Sequence, residues 1–167
     1  MRDGHHPVDM TVRQHLDLAL RLAREKMLAG EGGPFGAVIA DSASGALVTT
    51  GWNQVLVSGD PTAHAEVVAI RRAAALRGGY NLAGWTLYSS CEPCPMCLGA
   101  VYWAGLDAVW FAASRLDAAQ AGFSDDFIYR ELERDPSQRQ IPFRACTHEG
   151  ADEPFRLWCA KNDRKAY

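Results

Sequence analysis

Apolar side chains recur every three or four positions near the start of the chain. Val12, Leu16, Leu20, Ala23 and Met27 share one helical face. Asp9 or Thr11 can cap that face and Gly30 can stop it, so the pattern predicts a helix to about Ala29. The period then shortens. "PFGAVIAD" and "ALVTTGW" read as two strands joined by a turn at "SASG". A loop rich in turn formers, "NQVLVSGDPT", leads into "HAEVVAIRRAAALRGG", a second helix ended by Gly78-Gly79. "WTLYSS" reads as a third strand, and "CPMCLGAVYWAG" as a third helix with Pro93 near its first turn. "DAVWFAAS" is a fourth strand, "SDDFIYRELER" a helix, "FRACTHEG" a fifth strand and "EPFRLWCAKND" a last helix. Strands alternating with helices predict an α/β fold, one sheet covered on both faces. No repeat, linker or low-complexity tract interrupts the pattern, so residues 1–167 read as one domain.

Composition adds exclusions. The chain is 48% hydrophobic and 22% charged, enough apolar material for a core without disulfide staples. Asp and Glu number 20 against 17 Lys and Arg, a net charge of -3. A surface that grips nucleic-acid phosphates needs basic excess or a basic patch, so no nucleic-acid partner is expected. No stretch approaches the roughly 18 apolar residues of a membrane span. The opening "MRDGHHPVDM" lacks the apolar segment of a signal peptide. A cytoplasmic protein with reduced thiols is expected, and the odd count of five cysteines also speaks against a disulfide framework.

The chemistry concentrates in two places. "SSCEPCPMCLGA" carries Cys91, Cys94 and Cys97, and "PTAHAE" carries His64 and Glu66 at the start of the second predicted helix. Both helix starts can reach the same edge of the sheet, where open α/β sheets place their sites. One imidazole and two thiolates make three zinc ligands, leaving a fourth tetrahedral position for water. Cys94 and Cys97 are three apart and share a helix face. In a first turn they meet the positive end of the helix dipole, which favours thiolate. Cys91 precedes Pro93 on the strand side and is left out of the ligand set. Two thiolates nearly neutralise a zinc ion, so its water is acidified less than at an all-histidine site. Glu66 supplies the missing base, and once protonated can return that proton to a ring nitrogen and to departing ammonia. The combination H-x-E with P-C-x-x-C is the signature of zinc nucleobase deaminases. A structural four-cysteine clip lacks its second pair, since Cys146 and Cys159 stand alone, and a redox pair would leave His64 and Glu66 without a role.

The likeness extends along the chain. "GGPFGAVI", "DPTAHAEVVAIR", "SCEPCPMCLGAVYWA", "AAQAGFSDDFIY" and the final "KAY" together resemble the bacterial guanine deaminases of the cytidine deaminase superfamily. The resemblance implies a three-layer α/β/α fold with a five-stranded mixed sheet. It implies one zinc per chain, on His64, Cys94 and Cys97, with Glu66 as catalytic proton shuttle. It also implies a base pocket: Phe35 and Trp103 sandwiching the purine, Asn53 hydrogen-bonding it, and Asp125 facing the N1–H and amine edge of guanine. Asp126 is the competing neighbour in "SDD". A homodimer is implied too, in which residues from about 150 to 167 cross to the partner and Tyr167 reaches the bound base. The expected reaction is hydrolytic deamination of guanine to xanthine and ammonia. Alternatives are another amino-heterocycle (cytosine, guanosine or ammeline), a tRNA adenosine, or a zinc-stabilised binding protein without catalysis.

Overall fold

A computed structural model of the chain describes residues 10–165. By internal contacts these fall into two units, one ending at Asp125 and one beginning at Asp126.

The first unit holds α1 (Met10–Leu28), β1 (Gly36–Asp41), β2 (Leu47–Trp52), a single turn α2 (Val55–Ser58), α3 (Ala65–Arg77), β3 (Trp85–Cys91), α4 (Pro95–Ala104), β4 (Ala108–Ala113) and α5 (Arg115–Gln120). Its sheet runs β2-β1-β3-β4. β1 is antiparallel to both β2 and β3, and β3 is parallel to β4. The two central strands are buried along nearly their whole length. Their period of two sorts them between layers. Val38, Ala40 and Tyr88 face α1 through Val12 and Ala19. Ala37, Ile39 and Leu87 face Ala65, Ala69 and Ala73 of α3 and Val101 and Ala104 of α4. This is the expected three-layer α/β/α arrangement.

The two edges of the sheet differ. At β2, the ring of Trp52 lies between two cations: Lys26 Nζ of α1 stands 4.4 Å from its centroid, and Arg72 Cζ of α3 stands 4.5 Å away. Arg72 also donates to the Thr50 carbonyl at 2.9 Å. At β4 the residues are mostly exposed, with Trp110 and Phe111 each 45% exposed.

One glycine sets where the second layer begins. A Cβ on Gly51 would lie 2.4 Å from the Ala65 carbonyl oxygen. The bare backbone of β2 therefore lets the start of α3 settle directly onto the sheet, and this brings His64 to the strand ends.

The second unit holds α6 (Asp126–Glu133), a 3-10 turn (Pro136–Gln138) and α7 (Glu153–Ala160). The expected fifth strand does not form among the described residues, so the sheet has four strands, not five. The reason is visible in "FRACTHEG": polar side chains fall on both parities, leaving no continuous apolar face to bury. These residues are exposed, and His148 Nδ1 meets the neighbouring Glu149 carbonyl at 2.7 Å, not a strand partner. The helix α5 is an element the periodicity missed. Its signal is a capping box, Ser114 accepting from the Asp117 N–H while the Asp117 carboxylate accepts from the Ser114 N–H. Among the described residues no helix is long and apolar enough to cross a membrane.

Candidate active site

Two helix starts build the metal half of the site in the same way. His64 is the N-cap of α3 and Cys94 the N-cap of α4, with nearly equal extended dihedrals: φ -67, ψ 156 and φ -67, ψ 168. An N-cap residue turns its side chain away from the helix axis and across the opening turn. The His64 side chain makes no capping bond, so its ring is free to face the site. Pro95 takes the first helical position of α4, where a missing N–H costs nothing. That corrects the expectation for Pro93, which lies in the connection before the helix. Cys97 follows in the first turn, fully buried.

The donor atoms converge. Nδ1 of His64 lies 3.5 Å from Sγ of Cys94 and 3.5 Å from Sγ of Cys97. All three ligand atoms lie within 4.8 Å of one another. A tetrahedral ion with Zn–N near 2.0–2.1 Å and Zn–S near 2.3 Å requires an N···S edge of about 3.5 Å. The side chains therefore stand at the spacing zinc demands, and Nδ1 is the imidazole atom that fits it.

The electrostatics follow from the crowding. The hydrogen bond from the Cys97 thiol, more than the His64 ring, holds Cys94 down at about 4. The same bond, with burial, pushes Cys97 well above the usual thiol range. His64 is pushed up, chiefly by its hydrogen bond to the Cys94 sulfur and against the effect of burial. A divalent cation replaces this shared proton and lets both sulfurs ionise.

Glu66, in the first turn of α3, is 6% exposed. Burial is the main cause that pushes its carboxyl above the ordinary range, and the charge of Cys94 adds to it. Ser89 on β3 donates its hydroxyl to Glu66 Oε1 at 3.3 Å. Sequence reasoning did not single out Ser89; its parity on β3, opposite Ala37 and facing the α3 layer, is the signal that could have found it. The Cys91 thiol donates to the Ser114 carbonyl at 3.5 Å, and burial, then Glu66, pushes it up to about 11. It lies outside the group that can hold the metal.

The residues expected to meet the base come from loops, a strand entry and α4. Asn53 is buried, and its Oδ1 accepts from the N–H groups of Gly33 at 3.4 Å and Val55 at 3.2 Å. Gly32 makes this fit possible, since a Cβ there would lie 1.7 Å from the Asn53 carbonyl oxygen. Phe35 is partly buried, and its carbonyl accepts from the Asn53 N–H at 3.0 Å. Asp125 is half-buried. Burial comes first in pushing its carboxyl up; Cys94 adds to this and Arg115 opposes it. Asp126 is instead exposed and paired with Arg130. Trp103 is 71% exposed on α4. Tyr167 lies outside the described residues.

Comparison with known proteins places these features in a family. Residues 10–113 match the model of the cytidine and deoxycytidylate deaminase zinc-binding region. The chain is 51% identical to a guanine deaminase of Bacillus subtilis (strain 168) over 152 residues, covering 91% of this chain and 96% of the relative. The X-ray structure of guanine deaminase from Bacillus subtilis superposes with a TM-score of 0.90 at 50% identity, covering 93% of this chain and 98% of that one. A tRNA-specific adenosine deaminase of Haemophilus influenzae is 40% identical over 113 residues, 65% of this chain and 64% of the relative. That shorter match stops well short of the full chain, whereas the first two span nearly all of it. With the family model covering most of the residues that build the sheet and the metal half, this chain belongs to the zinc-binding cytidine and deoxycytidylate deaminase family.

Proposed function

We propose that the protein deaminates guanine hydrolytically, giving xanthine and ammonia, with one zinc per chain on Nδ1 of His64 and the sulfurs of Cys94 and Cys97. The observation that carries the chemistry is a buried carboxylate, Glu66, beside three N/S/S donors at tetrahedral spacing. A merely structural zinc site needs four protein ligands and no base. When bound, zinc supplies a water acidic enough to attack at neutral pH. The remaining work falls to the chain. Glu66 accepts the proton of the attacking water and delivers it to the ring nitrogen beside C2. It then carries the second water proton to the departing 2-amino group, which leaves as ammonia. A buried carboxyl with raised proton affinity suits both halves of that cycle.

The substrate assignment rests on Asp125 and on the relatives that match over nearly the full chain. A carboxylate can accept from both the N1–H and the 2-amine of guanine, a pair that adenine and cytosine do not present together. Asn53 closes the base from another side and Phe35 offers a ring face; Trp103 is the proposed opposing face. The acidic balance of the chain and the shorter match to the tRNA deaminase count against a tRNA substrate. Ammonia release from guanine by the zinc-loaded protein tests the assignment, with cytosine, guanosine and adenine run in parallel. Turnover of guanine alone is expected. Turnover of another base with guanine inert would discard Asp125 as the specificity carboxylate while keeping the metal half.

We also propose that residues 1–167 act as one domain within a cytoplasmic homodimer whose segment from about 150 to 167 crosses to the partner. Uncovered apolar surface supports this. Tyr102 of α4 is 78% exposed, and Phe155 and Leu157 of α7 are also exposed. A lone soluble protein rarely leaves so many large apolar side chains in water. Light scattering on the intact protein is expected to give twice the chain mass. Truncation after Glu149 is expected to abolish guanine turnover; a fully active truncated chain would remove Tyr167 and the crossing segment from the site.

A further inference from the structure

Phe35 is the only base-contacting ring proposed above that sits at a strand entry, and it does not stand alone. The rings of Phe123 and Phe35 meet edge to face, with centroids 5.0 Å apart and planes at 88°. Phe123 is 48% exposed, so it is not a core residue. Its place is fixed by the end of α5, where its N–H donates to the Ala118 carbonyl at 3.0 Å. The other end of α5 is tied to the metal loop: Glu92, between Cys91 and Pro93, accepts from the Arg115 N–H at 3.1 Å and donates its own N–H to the Ala113 carbonyl at 2.8 Å. Phe35 in turn is held at its backbone by Asn53 and, through Gly36, by the Ser90 hydroxyl, which accepts at 3.0 Å. One connected run of contacts thus joins the metal loop, α5, Phe123, Phe35 and Asn53.

We infer that Phe123 is a positioning residue for the base: its perpendicular ring fixes the plane of the Phe35 ring on which the substrate stacks. The inference rests on the guanine reading above. A T-shaped partner restricts ring tilt and takes up at most one face of Phe35, leaving the opposite face for a flat ligand. The same segment carries Asp125 two residues later. Stacking and recognition of the polar edge are therefore set by one stretch of chain.

The test is a double-mutant cycle on the zinc-loaded enzyme, reading KM and kcat for guanine, zinc content and melting temperature. Phe123→Ala is expected to raise KM about three- to tenfold, the range of one aromatic pair, with kcat within about twofold. Zinc should stay at one per chain. Phe123→Tyr keeps the ring edge and should restore KM, whereas Phe123→Leu should not. In a Phe35→Ala background, Phe123→Ala should add less than about twofold to KM, because its target is gone. Full additivity would overturn the inference and assign the effect to Asp125 instead. A fall in kcat with KM unchanged would overturn it as well. An active wild type with unchanged KM in Phe123→Ala would sink the inference alone, and a wild type inert toward guanine would sink the substrate reading with it.

Discussion

The two halves of the site are built from different materials. On the metal side, two helix starts repeat one backbone geometry, and the donors sit at fixed sequence offsets on rigid elements. On the base side, Asn53, Phe35 and Asp125 come from separate connections; Asn53 accepts from two backbone N–H groups and Phe35 meets one perpendicular ring. The metal half performs the chemistry and tolerates little change. The residues proposed for the base would choose what enters. A family can therefore keep one reaction and exchange substrates, as its guanine and tRNA-adenosine members illustrate.

The sharpest way to break this contrast is to remove the proton carrier without touching the ligands. Glu66→Gln keeps the shape and is expected to lower kcat by roughly 10²–10⁴-fold, the usual worth of a positioned acid–base group. Zinc content by elemental analysis should stay near one per chain. Zinc loss would make Glu66 part of the ligand set and blur the division between holding and reacting groups.

A smaller effect is expected across the divide. Asp125→Asn should cut kcat/KM for guanine by about 10–100-fold, the loss of a charge-assisted hydrogen bond. The zinc content and the melting temperature should not move. If Asp126→Asn instead gives the larger loss, the pairing of Asp126 with Arg130 is not its main duty, and the specificity carboxylate has been placed one residue too early.

The smallest effect concerns Cys91, which lies between the halves and belongs to neither. Cys91→Ala should retain its zinc. Its thiol is raised in the folded protein to about 11, from an ordinary value of 9.0. Over that window the folded state holds a proton that the unfolded state has lost. The stability this contributes is complete below pH 9 and disappears as pH rises toward 11. Melting curves from pH 8.5 to 11 should therefore fall more steeply for the wild type than for Cys91→Ala. Parallel curves would mean that burial does not hold the Cys91 proton.

What could be read from the chain alone follows the same division. His64, Glu66, Cys94 and Cys97 were legible because helix starts impose fixed offsets, and metal coordination needs few residue types at few distances. The layers were legible because strands and helices alternate along the chain, but the face of α1 was read only in part: Val12 and Ala23 are buried with His15 and Ala19, while Leu20 and Met27 are exposed. The fifth strand misled because "FRACTHEG" has strand length without a strand's buried face. The helix α5 was missed because its six residues are too short to show a period, although its capping box stands in the sequence. Phe123 and Ser89 were invisible for another reason. Each matters through one distant partner, Phe35 or Glu66, and nothing local marks a residue for a contact made 88 or 23 positions away.

The unequal margins of the sheet have a further consequence. Trp52 is clamped between Lys26 and Arg72 at one margin, while Trp110 and Phe111 stand uncovered at the other. Backbone pairing with another chain is disfavoured where charged side chains crowd the rim of a sheet. The two cations at Trp52 thus make the β2 margin a poor template for an intruding strand, a guard against edge-to-edge aggregation.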